Sequence, residues 1–367
     1  MEDWFAIADV ETLDSPALVV YPERVSYNID LLLKSIDHVS RLRPHVKTHK
    51  CKEAAALCMA AGISKFKCAT IAEAEMLALT GVKDVLLAYQ PIGPKANRFI
   101  NLIKQYPGTQ FACLIDNYAA AAHLNELAVA DGLTIQVYID LNVGMNRSGI
   151  VPQEAFALYQ QCAAMSALEI KGLHAYDGHI HDEDLSSREA QVKTAFAPVE
   201  ELIVKLNNIG FNPVMVAGGT PTFPVHVRHL ERECSPGTFI YWDGGYQRAF
   251  IEQIFLPAAL VVTRVVSLPD NGKICVDLGH KSIAAENVLD KRVTFLNAPE
   301  LKPVGQSEEH LVLDAGPNHT YKVGDVLYGL PHHVCPTVAL YERAITIVNK
   351  QVSGEWRTMA RDRKINF

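Results

Sequence analysis

The stretch Arg43-Pro44-His45-Val46-Lys47-Thr48-His49-Lys50 decides how the rest of the chain is read. In extended backbone successive side chains alternate faces, which puts Arg43, His45, Lys47 and His49 on one side and Pro44, Val46 and Thr48 on the other. The first side is too basic for an apolar core. A lysine held there loses solvation and rotamer freedom unless it gains a partner, and an aldehyde that condenses with its amine is one. The competing reading is an exposed edge strand, where lysine and arginine discourage edge-to-edge pairing.

Outward from that stretch, β-rich and helical runs alternate. The expected strands cover 43–47, 66–70, 84–88, 110–115, 134–141, 169–175, 213–217 and 233–242. Helical patterns cover 52–61, 72–79, 95–105, 119–130, 154–164 and 188–208. Thr70-x-x-Glu73 reads as a capping box opening the second of these helices. Eight strand units with crossover helices imply parallel strands and a closed (β/α)₈ barrel, an α/β fold, with an open doubly wound sheet as the alternative. From about Phe250 the rhythm becomes β-rich without long helices, over 259–267, 273–277, 292–296, 310–314, 325–328 and 344–349. Turn signals at Asp270-Asn271-Gly272 and Ser353-Gly354 separate some of these runs. The expected organisation is a barrel over 14–251 and a C-terminal β-sheet domain over 252–367, without internal repeats or a long flexible linker.

Composition bounds the partners. The 367 residues suffice for a substantial core, and 49% hydrophobic with 20% charged residues is the balance of a globular protein. A net charge of −7, from 34 basic and 41 acidic side chains, with no basic stripe interleaved with aromatics, argues against nucleic acid. Met1-Glu2-Asp3-Trp4 lacks the basic and apolar regions of a secretory signal. The most apolar stretch, 255–268, is interrupted by Pro257 and Arg264 and falls short of the roughly 20 residues that span a bilayer. The expectation is a cytoplasmic protein with no membrane partner. Eight scattered cysteines without a CxxC pair read as buried thiols in a reducing compartment, except Cys335.

In a barrel, reactive groups belong at the carboxyl ends of the strands. Lys47 ends the first expected strand, Arg147 follows the fifth, Tyr176 to His181 the sixth, Gly218-Gly219-Thr220 the seventh, and Tyr241 to Tyr246 closes the eighth. Polar groups gathering at one rim is what an edge-strand lysine would lack. The double glycine permits close backbone approach and a nest of N–H groups suited to a phosphate, although it also suits a plain turn. Arg147 can bond an anionic oxygen or a ring nitrogen of a cofactor, or form a surface ion pair. Tyr176, Tyr241 and Asp243 are further candidate cofactor contacts. In His333-Val334-Cys335 an extended backbone points the imidazole and thiolate the same way, so both can hold one divalent metal. Softness favours zinc over manganese or magnesium, and two protein ligands leave positions for water or substrate. The alternative is a buried cysteine beside a satisfied histidine. His179 and His181, with acids nearby, are candidate general bases or further ligands.

Those motifs carry a resemblance. Arg43-Pro44-His45-Val46-Lys47-Thr48-His49 resembles the pyridoxal-phosphate lysine motif of the D-threonine aldolase and D-serine dehydratase family. Ser307-Glu308-Glu309-His310 and Pro331-His332-His333-Val334-Cys335-Pro336-Thr337 resemble its C-terminal signatures, and the likeness runs from Leu13-Asp14-Ser15-Pro16-Ala17-Leu18 onward. It implies an alanine-racemase-like barrel plus a β domain joined by the initial segment 1–13, in a homodimer. It also implies that Lys47 forms the Schiff base with pyridoxal 5′-phosphate, Gly218 to Thr220 hold the phosphate, Arg147 contacts the ring, and His333 and Cys335 bind the metal. The implied substrate is a small D-configured β-hydroxy-α-amino acid. The family's aldolases resemble His-x-Asp at the metal pair and its dehydratases His-x-Cys, so Cys335 points to a dehydratase of D-serine or D-threo-3-hydroxyaspartate. The two histidines after the sixth strand look nearer to the aldolase branch, which gives glycine and an aldehyde, and that reading is preferred. A pyridoxal-phosphate carrier would lack the second domain, and an amino-acid racemase would have no use for the metal.

Overall fold

The structure, a computed structural model, describes residues 3–367. The chain opens with β1 (Ala17–Val20) and α1 (Pro22–Lys34), then alternates α2 (Lys52–Ala60), β2 (Lys65–Cys68), α3 (Ile71–Thr80), β3 (Asp84–Leu87), α4 (Pro94–Gln105) and β4 (Gln110–Ile115). There follow α5 (Tyr118–Ala130), β5 (Ile135–Leu141), α6 (Pro152–Ala163), β6 (Leu168–Ala175), α7 (Leu185–Asn208), β7 (Val214–Ala217), α8 (Phe223–His226) and β8 (Arg232–Cys234). Two compact units result. One comprises Leu32–Lys47, Ala55–Gly237 and Asp362–Phe367, and the other the stretch up to Leu31, Thr48–Ala54 and Thr238–Arg361.

In the first unit, β2 to β8 form a seven-stranded parallel sheet in sequence order. β2, β3 and β7 have four residues each and show little alternation of burial, as expected where both faces of a parallel sheet are covered. Of the expected capping box at α3, the N-cap bond is present, Glu73 N–H donating to Thr70 Oγ1 (3.1 Å), while Glu73 Oε2 accepts from the N–H of Ala69 (2.6 Å), the residue before the cap.

The expected first strand is not a ladder. Pro44 has no N–H to give, and residues 42–45 make only single parallel bridges, Leu42 to Cys234 and His45 to Lys67. Arg43 N–H donates to Cys234 O (2.9 Å), His45 N–H to Pro236 O (3.0 Å), and Lys67 N–H to Pro44 O (2.8 Å). The segment is therefore stapled to both β8 and β2 and closes the ring as its eighth stave. Nor is its basic face excluded from the interior, because Arg43 is only 1% exposed. Its guanidinium donates to both oxygens of Asp84 (2.5 and 3.1 Å) and to Glu233 Oε2 (2.7 Å), the pairing that makes a buried charge tolerable. The expected strand at 233–242 is cut to β8, since Pro236 and Gly237 break it and Thr238–Ile240 is a 3₁₀ turn.

The second unit holds α9 (Gly244–Ala249), β9 (Ala259–Asp270), β10 (Lys273–Val276), β11 (Val293–Phe295), β12 (Lys302–Gln306), β13 (Leu311–Asp314), β14 (Val326–Pro331), α10 (Val334–Leu340), β15 (Arg343–Val348) and β16 (Gln351–Arg357). With β1 they make a nine-stranded mixed sheet, ordered β12-β13-β10-β9-β1-β15-β16 with β14 and β11 branching from β9. β1 lies in its middle, antiparallel to β9 and parallel to β15. Phe5, Ile7 and Leu13 pack with Val19, Leu260 and Tyr328 in its core. The second unit takes in the residues up to Leu31 because β1 is a strand of its sheet and Asn28 is bonded to Ile240 O and Leu256 O. No helix among the described residues is long and apolar enough to cross a membrane.

Candidate active site

In the barrel unit the Tyr176 ring, immediately after β6, is the meeting point of three cations. Lys47 Nζ lies 5.6 Å, Lys67 Nζ 5.8 Å and Arg147 Cζ 5.1 Å from its centroid. Among the described residues none of the three makes an ion pair. The ring is held by two close approaches that only glycine allows. A Cβ on Gly178 would stand 2.3 Å from Tyr176 Oη, and one on Gly219 2.9 Å from Tyr176 Cε2. Lys47 is presented from the 3₁₀ turn Val46–Thr48, and its backbone N–H donates to His45 Nδ1 (3.1 Å).

The Gly218-Gly219-Thr220 turn is fixed at its start and end. Gly218 N–H donates to Ala175 O (2.9 Å) and Gly237 N–H to Thr220 Oγ1 (3.0 Å), so the first amide of the expected phosphate nest is engaged. Behind the turn runs a buried polar chain. Asp177 accepts from Thr222 Oγ1 (2.8 Å) and His226 Nε2 (2.7 Å), His226 Nδ1 faces Arg232 Nη1 (3.0 Å), and Arg232 Nη2 donates to Glu200 (2.5 Å). With Nε2 donating to the carboxylate, Nδ1 is left to accept from the guanidinium, which fixes a neutral tautomer.

A second buried chain was not anticipated. Lys67, on β2, is 2% exposed. Its Nζ lies 3.4 Å from His174 Nε2 and 3.5 Å from Gly218 O; His174 Nδ1 in turn lies 2.7 Å from Asp140 Oδ1, and Ser148 Oγ donates to Asp140 Oδ2 (3.0 Å). Burial, reinforced by Lys47, brings the Lys67 ammonium down to about 7 against the opposing pull of Asp177 and Asp140. Burial and then Lys67 also lower His174, which stays the neutral acceptor. The signal available in the sequence was Lys65-Phe66-Lys67, two lysines one strand period apart. Ser235, just past β8, is a further missed residue: its Oγ is buried and has no partner.

The two candidate bases separate. His179 is half-buried, its Nδ1 is buried without a partner, and its Nε2 lies where a Cβ on Gly144 would be 2.6 Å away. His181 is exposed and bonds the His179 carbonyl through Nδ1 (2.7 Å).

In the other unit, His333 and Cys335 do meet, though not on one extended strand. His333 is the extended residue before α10 and Cys335 sits in that helix's first turn. His333 Nδ1 pairs with Glu286 Oε1 (2.5 Å), and Cys335 Sγ lies 3.1 Å from Thr48 Oγ1 and 3.9 Å from Thr238 Oγ1. Burial works against the His333 charge, but its hydrogen bond to Cys335, the charge of that thiolate and Glu286 outweigh it and raise the ring to about 9. A carboxylate on the outer nitrogen of a histidine whose ring meets a thiolate suits a metal-binding pair. Among the described residues no cluster of three or more such ligands forms. Tyr241 and Asp243 belong to this unit also. Tyr241 is buried against His49 and Cys51. Asp243 caps α9 through Tyr246 N–H (2.9 Å) and holds Val334 N–H (3.0 Å), and burial raises its carboxyl to about 6.

The chain can be set beside known proteins on this geometry. Residues 20–244 match the family described as Alanine racemase, N-terminal domain, and residues 258–347 the one described as Putative serine dehydratase domain. A D-threonine aldolase of Arthrobacter sp is 25% identical over 95% of this chain and 93% of its own length. A D-threo-3-hydroxyaspartate dehydratase of Delftia sp. is 24% identical over 90% of this chain and 93% of its own. The crystal structure of D-threonine aldolase from Filomicrobium marinum superposes with a TM-score of 0.87 at 27% identity, covering 95% of each chain.

Proposed function

Because the chain belongs to the alanine racemase N-terminal domain family, we propose that it is a pyridoxal-phosphate- and metal-dependent lyase of D-β-hydroxy-α-amino acids, cleaving D-threonine-like substrates to glycine and an aldehyde. The observation that carries this reading is the convergence of three basic side chains without ion pairs, Lys47, Lys67 and Arg147, on the Tyr176 ring, a cluster that fits an anionic ring cofactor. Lys47 would hold its aldehyde carbon, the Gly218-Gly219-Thr220 turn its phosphate, and Arg147 and Tyr176 its ring. When bound, the cofactor supplies an electron sink for charge developing at the substrate Cα. His333 and Cys335 would hold the divalent metal, zinc by donor softness with manganese or magnesium as alternatives, and Glu286 would orient the imidazole. The metal supplies Lewis acidity.

His179 is the residue for the proton. Its unpartnered Nδ1 takes the β-hydroxyl proton as Cα–Cβ breaks, whereas the exposed His181 steadies the turn through the His179 carbonyl. A dehydratase is the second reading, favoured by Cys335 in the metal pair; there Lys47 removes the Cα proton and His179 has no proton to take. The eight free thiols suit the cytosol, and the resemblance supports a homodimer.

Products decide. Borohydride treatment should fix the cofactor on Lys47, and D-threonine should give glycine and acetaldehyde. His179→Ala should then lose about 10²–10⁴ in aldehyde release with metal content unchanged. Keto acid and ammonia as the sole products, or a His179→Ala variant at the parent rate, would move the assignment to the dehydratase.

A further inference from the structure

Lys67 is the one basic side chain of the Tyr176 cluster to which the proposed function gives no role of its own. It stands on β2 facing β6 and β7 across the inside of the ring, with a neutral imidazole and a carbonyl, both at long range, as its only hydrogen-bond contacts among the described residues. The charged groups around it do not neutralise it. Lys47 and Arg43 on the closing stave add positive charge, and Arg147 faces His174. The carboxylates are already engaged, Asp140 by His174 and Ser148, Asp177 by Thr222 and His226. A buried ammonium in that setting is costly unless an anion joins it. One residue beyond the Ala217–Cys234 register of the same sheet end, the buried Ser235 hydroxyl also has no partner.

We infer that Lys67 is a second, non-covalent lysine of the cofactor site, which binds an anionic oxygen of the pyridoxal phosphate through a charge-assisted hydrogen bond, His174 and Asp140 holding the amine in place. This deepens the cofactor reading above and rests on it. Its consequence is a coupling. In the cofactor-free protein near pH 8 the Lys67 amine is largely neutral, and an arriving anion favours the ammonium, so cofactor loading takes up a proton. A lysine retained only for packing would show no such uptake.

The test uses cofactor-free full-length protein and pyridoxine 5′-phosphate, whose alcohol cannot condense with an amine, so that imine formation at Lys47 does not enter. Titration calorimetry at pH 8 in two buffers of different ionisation heat should show uptake approaching one proton per site. Lys67→Met should bind about 10- to 100-fold more weakly, without the uptake. It should also melt higher than the cofactor-free parent, since methionine avoids the free-energy cost of burying the Lys67 amine, whether charged or deprotonated. The sign follows from Lys67 being depressed in the fold: the unfolded chain holds more protons between about 7 and the ordinary lysine value, so the advantage is greatest at pH 7 and below and fades as pH rises. Lys67→Arg, a permanent cation, should bind the analogue without proton uptake. Parent-like affinity and uptake in Lys67→Met, or uptake persisting in Lys67→Arg, would overturn the inference alone. A parent protein that does not bind the analogue would overturn the cofactor reading with it.

Discussion

Cys335→Ala isolates the metal from the rest of the chemistry. In the proposed function the thiolate is one of two protein donors to the metal, and loss of an outer partner alone typically weakens metal binding 10–100-fold, so losing a ligand should weaken it by about 100-fold or more. Dialysed Cys335→Ala should be metal-poor by elemental analysis while its cofactor absorbance stays at the parent level; a variant that keeps a full equivalent of metal removes the pair from the proposed function. The meeting of His333 with Cys335 was legible because it is local, the two being two positions apart, and Lys47 stood out as part of a run of basic side chains. Lys67, His174 and Asp140 were not. Lys65-Phe66-Lys67 marks a lysine without naming its partners, and the lysine and imidazole are 107 positions apart, so only closure of the ring makes them neighbours.

At the scale of elements, the turns after β6 and β7 act as one device, two glycines letting the Tyr176 ring approach the backbone closely. Gly178→Ala should displace that ring, costing about 1–3 kcal/mol as overpacking does. The checks are a lowered melting temperature and a cofactor that washes off on gel filtration; a variant that holds its cofactor as the parent does would mean that the ring position is not needed. The double-glycine turn and the Thr70 cap of α3 were legible from local sequence, since each turn chemistry needs a particular residue type at a particular offset. The stave at 42–45 was misread as a strand because period-2 alternation reports which way side chains point, not whether the backbone has N–H groups to offer, and Pro44 withholds one. The burial of Arg43 was equally invisible, because Asp84 and Glu233, which compensate it, come from distant strands.

For the whole molecule, the division into two units was legible as a change of rhythm, but its course was not, because β1 carries no mark of belonging to strands more than 200 residues later. That course makes a sharp prediction. A fragment spanning 238–361 lacks the middle strand of its sheet and exposes the facing edges of β9 and β15, an aggregation template. It should be insoluble or show no cooperative melt, and a soluble fragment with a sigmoidal transition would refute the placement of β1. The central position of β1 also has a consequence in time. Its four residues are made near the start of translation, yet β15, one of its two neighbours, ends at Val348. At roughly 5–20 residues per second the ribosome needs some tens of seconds to get from one to the other. Throughout that interval Ala17–Val20 is an apolar strand lacking at least one of its two neighbours, so this segment is where a nascent-chain chaperone has most to protect.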